Sequence, residues 1–113
     1  MLTKKEFADG IYNVLTPADL YDKMSKVLTQ EKCPGVFINY GKGHFVIAHE
    51  RFSDGLSIST DGLGVWVITG LESTPDGSYQ YTDKVLKTEN TETVSRAIAA
   101  LIINWEESEP PSS

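Results

Sequence analysis

The chain reads as an α+β protein with two N-terminal helices, a four- to five-stranded antiparallel meander sheet, and a C-terminal helix packed on one sheet face. Three observations predict this. Apolar residues recur at helical spacing as far as Leu28, and again from Val94 to Trp105. Between Val36 and Leu86 the period shortens to that of extended chain. Glycine-bearing turns interrupt that stretch at intervals too short for crossover helices, so successive strands must run antiparallel.

The first helix is expected from Thr3, where Thr3-Lys4-Lys5-Glu6 forms a capping box and Phe7, Ile11, Val14 and Leu15 follow at helical spacing. Gly10 weakens it by up to ~1 kcal/mol relative to alanine. Thr16-Pro17 starts a second helix, with threonine as N-cap and proline at the first helical position, where no N–H is missed. Leu20, Met24, Val27 and Leu28 make its apolar stripe, with Tyr21 beside it. Asp19 and Asp22 each precede a lysine by four residues, the favourable order for exposed pairs. Pro34 and Gly35 are expected to stop this helix.

Val36 to Tyr40 and His44 to Phe52 read as two strands joined by Gly41-Lys42-Gly43, a three-residue hairpin loop with glycine available for positive φ. Phe45 and Ile47 oppose Val46 and Ala48, so this hairpin is expected to be covered on both sides. Asp54-Gly55 and Asp61-Gly62 read as turns, with strands over Leu56–Thr60 and Val65–Thr69. Two seven-residue units are too few for a repeat architecture. Thr74-Pro75-Asp76-Gly77 has tight-turn chemistry. A fifth strand follows from Ser78 to Thr82 and continues through Val85 and Leu86. Asn90 or Thr91 caps the last helix, whose stripe is Val94, Ile98, Leu101, Ile102 and Trp105. Residues 1–106 thus read as one domain and 107–113 as a polar tail.

Charge excludes some functions. Ten Lys and Arg against 16 Asp and Glu leave a net −6, concentrated after residue 52. Arg51 and Arg96 are the only arginines, with no basic cluster around either, so counterion-releasing contact with nucleic acid is not expected. Solubility is the plain reading of the acidic half; the functional one is steering toward a partner with a basic surface. No apolar run approaches the ~20 residues of a membrane span. Cys33 is the sole cysteine, which precludes an internal disulfide and suits a reducing, cytoplasmic setting. At the expected exit of a helix it reads as a loop residue rather than a nucleophile.

His44 and His49, the only histidines, are five residues apart and fall on opposite faces of a strand. With one cysteine, they offer no zinc spacing, no calcium loop accompanies them, and neither a metal nor a cofactor is expected. Gly62-Leu63-Gly64 is only a fragment of a phosphate-binding fingerprint. What remains is a set of aromatic and acidic residues that a sheet could display: Phe37, Trp66, Tyr79 and Tyr81, with Glu72, Asp76 and Asp83. Trp and Tyr dominate protein recognition hot spots, although packing under a helix would account for the same residues. The expectation is a small non-enzymatic protein-binding domain, of the inhibitor, immunity or chaperone-like kind found in bacteria and phages, acting through an acidic and aromatic sheet surface. The alternative is a small-ligand-binding protein or minor enzyme using Cys33 or a histidine. Two unpaired sheet edges also make a homodimer an expectation.

Overall fold

The computed structural model describes residues 16–108. Helix α1 (Pro17–Val27) leads into five strands, β1 (Val36–Gly41), β2 (His44–His49), β3 (Asp54–Thr60), β4 (Trp66–Ser73) and β5 (Tyr79–Thr88), and helix α2 (Thr91–Glu107) closes the chain. The strands form one antiparallel sheet in the order β1-β2-β3-β4-β5. The α+β class and the five-strand meander thus match the sequence. The first of the two expected N-terminal helices, over Thr3–Leu15, lies outside the described residues, among which one helix precedes the sheet and one follows it.

Local chemistry fixes the element ends. Thr16 caps α1 by accepting the Asp19 N–H at 3.1 Å. The helix ends at Val27, well before Pro34, because the Leu28 N–H closes back on the Met24 carbonyl at 2.7 Å while Leu28 leaves helical geometry. The β1–β2 loop is shorter than expected: Gly41 pairs with His44, leaving Lys42 (φ 54°) and Gly43 (φ 80°) as a two-residue type I′ turn. Asp54-Gly55 is not a turn but the start of β3, and the chain reverses over residues 50–53 instead. Asn90 caps α2 through the Glu92 N–H at 2.9 Å.

Both helices lie on one face of the sheet. Leu20, Met24 and Val27 from α1 and Val94, Ile98, Ile102 and Trp105 from α2 share a single core with Phe45, Ile47, Ile58, Trp66 and Ile68 from the strands. Burial of that many large side chains, at about 1.5–3 kcal/mol each, is the main term holding helices to sheet. Among the described residues no helix lies over the other face, yet Ala48, Ser57 and Leu71 on it are buried, so the β1–β2 hairpin is buried on both sides at Ala48 as expected. That open face carries Phe37 and Asn39 from β1, His44, Val46 and Ala48 from β2, Ser57 from β3, Val67, Thr69 and Leu71 from β4, and Tyr79, Tyr81 and Val85 from β5, as the pairing registers require. Opposite Gly70, β5 holds extra residues, which shift the register between Thr69 and Leu71. A Cβ at Gly70 would come within 2.5 Å of the Thr82 hydroxyl, so a larger residue there requires the Thr82 side chain to move.

Candidate functional site

Two regions hold side chains that could act on another molecule. The first is the open sheet face. Phe37 on β1 and Tyr79 on β5 belong to opposite edges of a five-stranded sheet, yet their rings meet edge-on with centroids 6.5 Å apart. Rings on opposite edges can come this close only where the sheet curls, and small residues on two of the three intervening strands leave room for them, while β4 carries Leu71 in that row. Ala48 pairs with Phe37 and Gly55 with Ala48. Phe37 stays 41% exposed and Tyr81, two residues after Tyr79 on β5 and on the same face, 60% exposed. Burial pushes the Tyr79 phenol above its usual range. His44 sits within 3.4 Å of the buried Ser57 hydroxyl at the other end of the face.

The expected recognition residues do not all gather here. Trp66 is a correction: it is 3% exposed, on the helix-covered face, and its side chain belongs to the core. Alternation explains the split, since Trp66 pairs with Thr88 on the face that α2 covers, whereas Tyr79 and Tyr81 lie opposite Ser73 and Leu71. Glu72 also falls on the helix side, where it accepts the Gln80 amide at 2.7 Å. Asp76 is committed to its own turn. One carboxylate oxygen accepts the Ser78 N–H, the Ser78 hydroxyl and the Thr74 hydroxyl, and these bonds hold its carboxyl at about 2. Asp83 lies between Thr82 and Lys84, whose side chains crowd Gly70 from the helix side, so its own carboxylate projects to the open face.

The second region is a cleft of about 470 Å³ between the loop after α1, the β2–β3 turn and the end of α2. Cys33, His49 and Glu106 all line it, as do Arg51, Phe52 and Trp105. These are residue types of thiol chemistry, brought together from positions far apart in sequence. Their electrostatics run the other way. Burial and the Glu106 carboxylate push the Cys33 thiol up, so the thiolate is disfavoured. Burial pulls the His49 imidazole down, so the neutral ring is favoured. Its Nδ1 is also engaged, accepting the Arg51 N–H at 3.1 Å. A neutral ring whose Nδ1 accepts carries its proton on Nε2.

The ring is a clasp. It packs edge-on against Phe52 at 4.8 Å and lies 5.2 Å from Trp105, whose indole N–H donates to Asp54 at 2.9 Å. Gly35 makes the close approach possible: it has φ +87°, and a Cβ there would stand 2.5 Å from His49 Cε1. Asp54 and Phe52 were not singled out in the sequence, because Asp54-Gly55 has the form of a turn and only the fold sets it beside residue 105. No buried side-chain nitrogen or oxygen among the described residues lacks a hydrogen-bond partner. No group of three His, Cys, Asp or Glu among them has the geometry to hold a metal ion, and no helix among them is long and apolar enough to cross a membrane. No protein-family model, curated protein or solved structure matches the chain.

Proposed function

We propose that this chain is a non-enzymatic protein-binding domain whose sheet face opposite the two helices carries the recognition surface, at its exposed Phe37 and Tyr81 end. The observation that carries the reading is the Phe37–Tyr79 contact: aromatic rings from opposite edges converge over the open face, with Tyr81 beside them largely exposed. Rigid aromatics on a strand platform lose little conformational entropy on binding, which is why such residues anchor interfaces. The net charge of −6 favours a partner with a basic surface by accelerating encounter. A reducing cytoplasmic setting fits the single protonated thiol. An inhibitor, immunity or chaperone-like accessory role accords with the small size and the aromatic sheet.

The test compares affinity capture by the native chain and by Phe37→Ser/Tyr81→Ser, with the captured protein quantified and rebound as purified material. A partner held by the native chain and lost by the variant supports the reading. Equal retention by both removes the open face from it. Association rates that fall steeply with added salt support steering toward a basic partner, and rates indifferent to salt count against it.

A second reading rests on the cleft. Its volume and its Phe52 and Trp105 walls suit a small ligand, held without thiolate chemistry. Ligand titration followed at the Trp105 indole N–H resonance tests it, and an unmoved resonance across a metabolite panel sets it aside.

A further inference from the structure

The two edges of the sheet are treated differently. The tight turn sets the bonding phase of β1: Gly41 and His44 exchange ladder bonds, so Val36, Ile38 and Tyr40 turn their backbone groups outward. Three of those six groups are already taken. The Val36 N–H donates to the Cys33 carbonyl at 3.2 Å, and the Val36 carbonyl accepts the Gln30 amide. The Gln30 side-chain oxygen also accepts the Gly35 N–H at 3.0 Å, and the Tyr40 N–H donates to Asn39 at 2.9 Å. This edge is thus partly occupied, at Val36 and at the Tyr40 N–H.

β5 is different. The Ser73 N–H donates to the Ser53 carbonyl at 2.7 Å, so the odd-numbered residues of β4 bond toward β3. The β5 residues opposite them, Tyr79, Tyr81, Val85 and Lys87, therefore turn their N–H and C=O groups away from the sheet. Nothing among the described residues meets those groups. The same strand exposes Tyr81, Val85 and Leu86 at 60, 55 and 48%. An edge of this length is a template for another strand.

The spacing of its charges selects the partner. Asp83-Lys84-Val85-Leu86-Lys87 is self-complementary when read antiparallel about Val85. A two-fold axis there sets Val85 against Val85 of a second copy. Asp83 then faces Lys87 in both directions on the open face, and the Lys84 stem covers Leu86 on the other. Moving the axis one bonding step toward the C-terminus sets Asp83 against Glu89, which repels. We propose that β5 pairs with β5 of a second copy of this chain in this register, joining two sheets into one ten-stranded sheet. The surface is the outer edge of β5, separate from the open-face reading, and its test reads mass rather than partner capture.

The experiment is light scattering after gel filtration over a concentration series, on the native chain, Asp83→Lys, Lys87→Asp and the double swap. The native chain is expected to give a concentration-dependent dimer. Each single reversal turns two attractions into two repulsions and weakens the dimer about tenfold or more, and the double swap restores it. Thermal melts confirm that these exposed substitutions leave the fold intact. A native chain that remains monomeric throughout overturns the proposal, as do single reversals that dimerise like the native chain or a double swap that stays monomeric.

Discussion

The aromatic group at the end of the covered face and the aromatic group on the open face contrast in what surrounds them. In the first, His49 Nδ1 accepts the Arg51 N–H, Trp105 donates to Asp54, and Phe52 stacks on Trp105 with its ring plane 18° away. In the second, Phe37 and Tyr79 touch only along an edge, and Tyr81 is mostly in solvent. Rings whose polar atoms are paired and whose faces are covered hold the chain in place. Rings that share a surface without being covered by it are available to another molecule. The cleft at the covered end brings Cys33 and His49 together, yet its hydrogen bonds serve to fasten Arg51 to β2 and α2 to β3.

Substitutions can break this contrast. The largest effect is expected for Trp66→Ala, which empties a core site under α2: about 3–5 kcal/mol of destabilisation in urea unfolding. Gly35→Ala comes next, because it combines a left-handed backbone with a collision against the His49 ring; about 2–4 kcal/mol is expected by the same measurement. A Gly35→Ala protein as stable as the native one would mean that the His49 clasp is loose.

Trp105→Phe keeps a ring but removes the indole donor, leaving Asp54 unpaired. A loss of about 1–3 kcal/mol is expected, partly offset when Asp54→Asn accompanies it. The clasp also has a pH signature. Folding favours neutral His49, so its folded value lies below the ordinary 6.5. Between those two values the unfolded chain binds more protons, and stability therefore falls as pH drops below about 6.5 and is fully present above it. Thermal melts across that range, compared with His49→Gln, check the sign; an acid limb unchanged in the variant would assign it to the carboxylates. The smallest effect sharpens the comparison from the other side: Tyr81→Ser should change stability by no more than about 0.5 kcal/mol while weakening partner binding.

Several of these features were legible in the residues themselves. Thr16-Pro17 and Asn90 name helix starts because capping is local chemistry, satisfied within three residues. The alternation of Val36 and Phe37, and of His44 and His49, assigns faces because strand side chains alternate strictly. Other features depended on distant partners. The early end of α1, the reversal at residues 50–53 and the shifted register at Gly70 are settled by packing and by pairing that no short window contains. Trp66 and Tyr81 look equally fit for recognition in the sequence; one is core and the other surface only because α2 folds onto a particular side of the sheet.

By itself the sequence determined the class of the protein, the meander order of its strands and the alternation of faces along the β1–β2 hairpin, since periodicity, capping and turn geometry act over a few residues. The tertiary structure alone decided which side the helices cover, that Asp54 reaches Trp105, that Cys33 and His49 share a cleft, and that the β1 edge is partly occupied while no described residue meets the β5 edge. Those outcomes are contacts between residues tens of positions apart, and their free energy exists only once the chain has closed the loops between them.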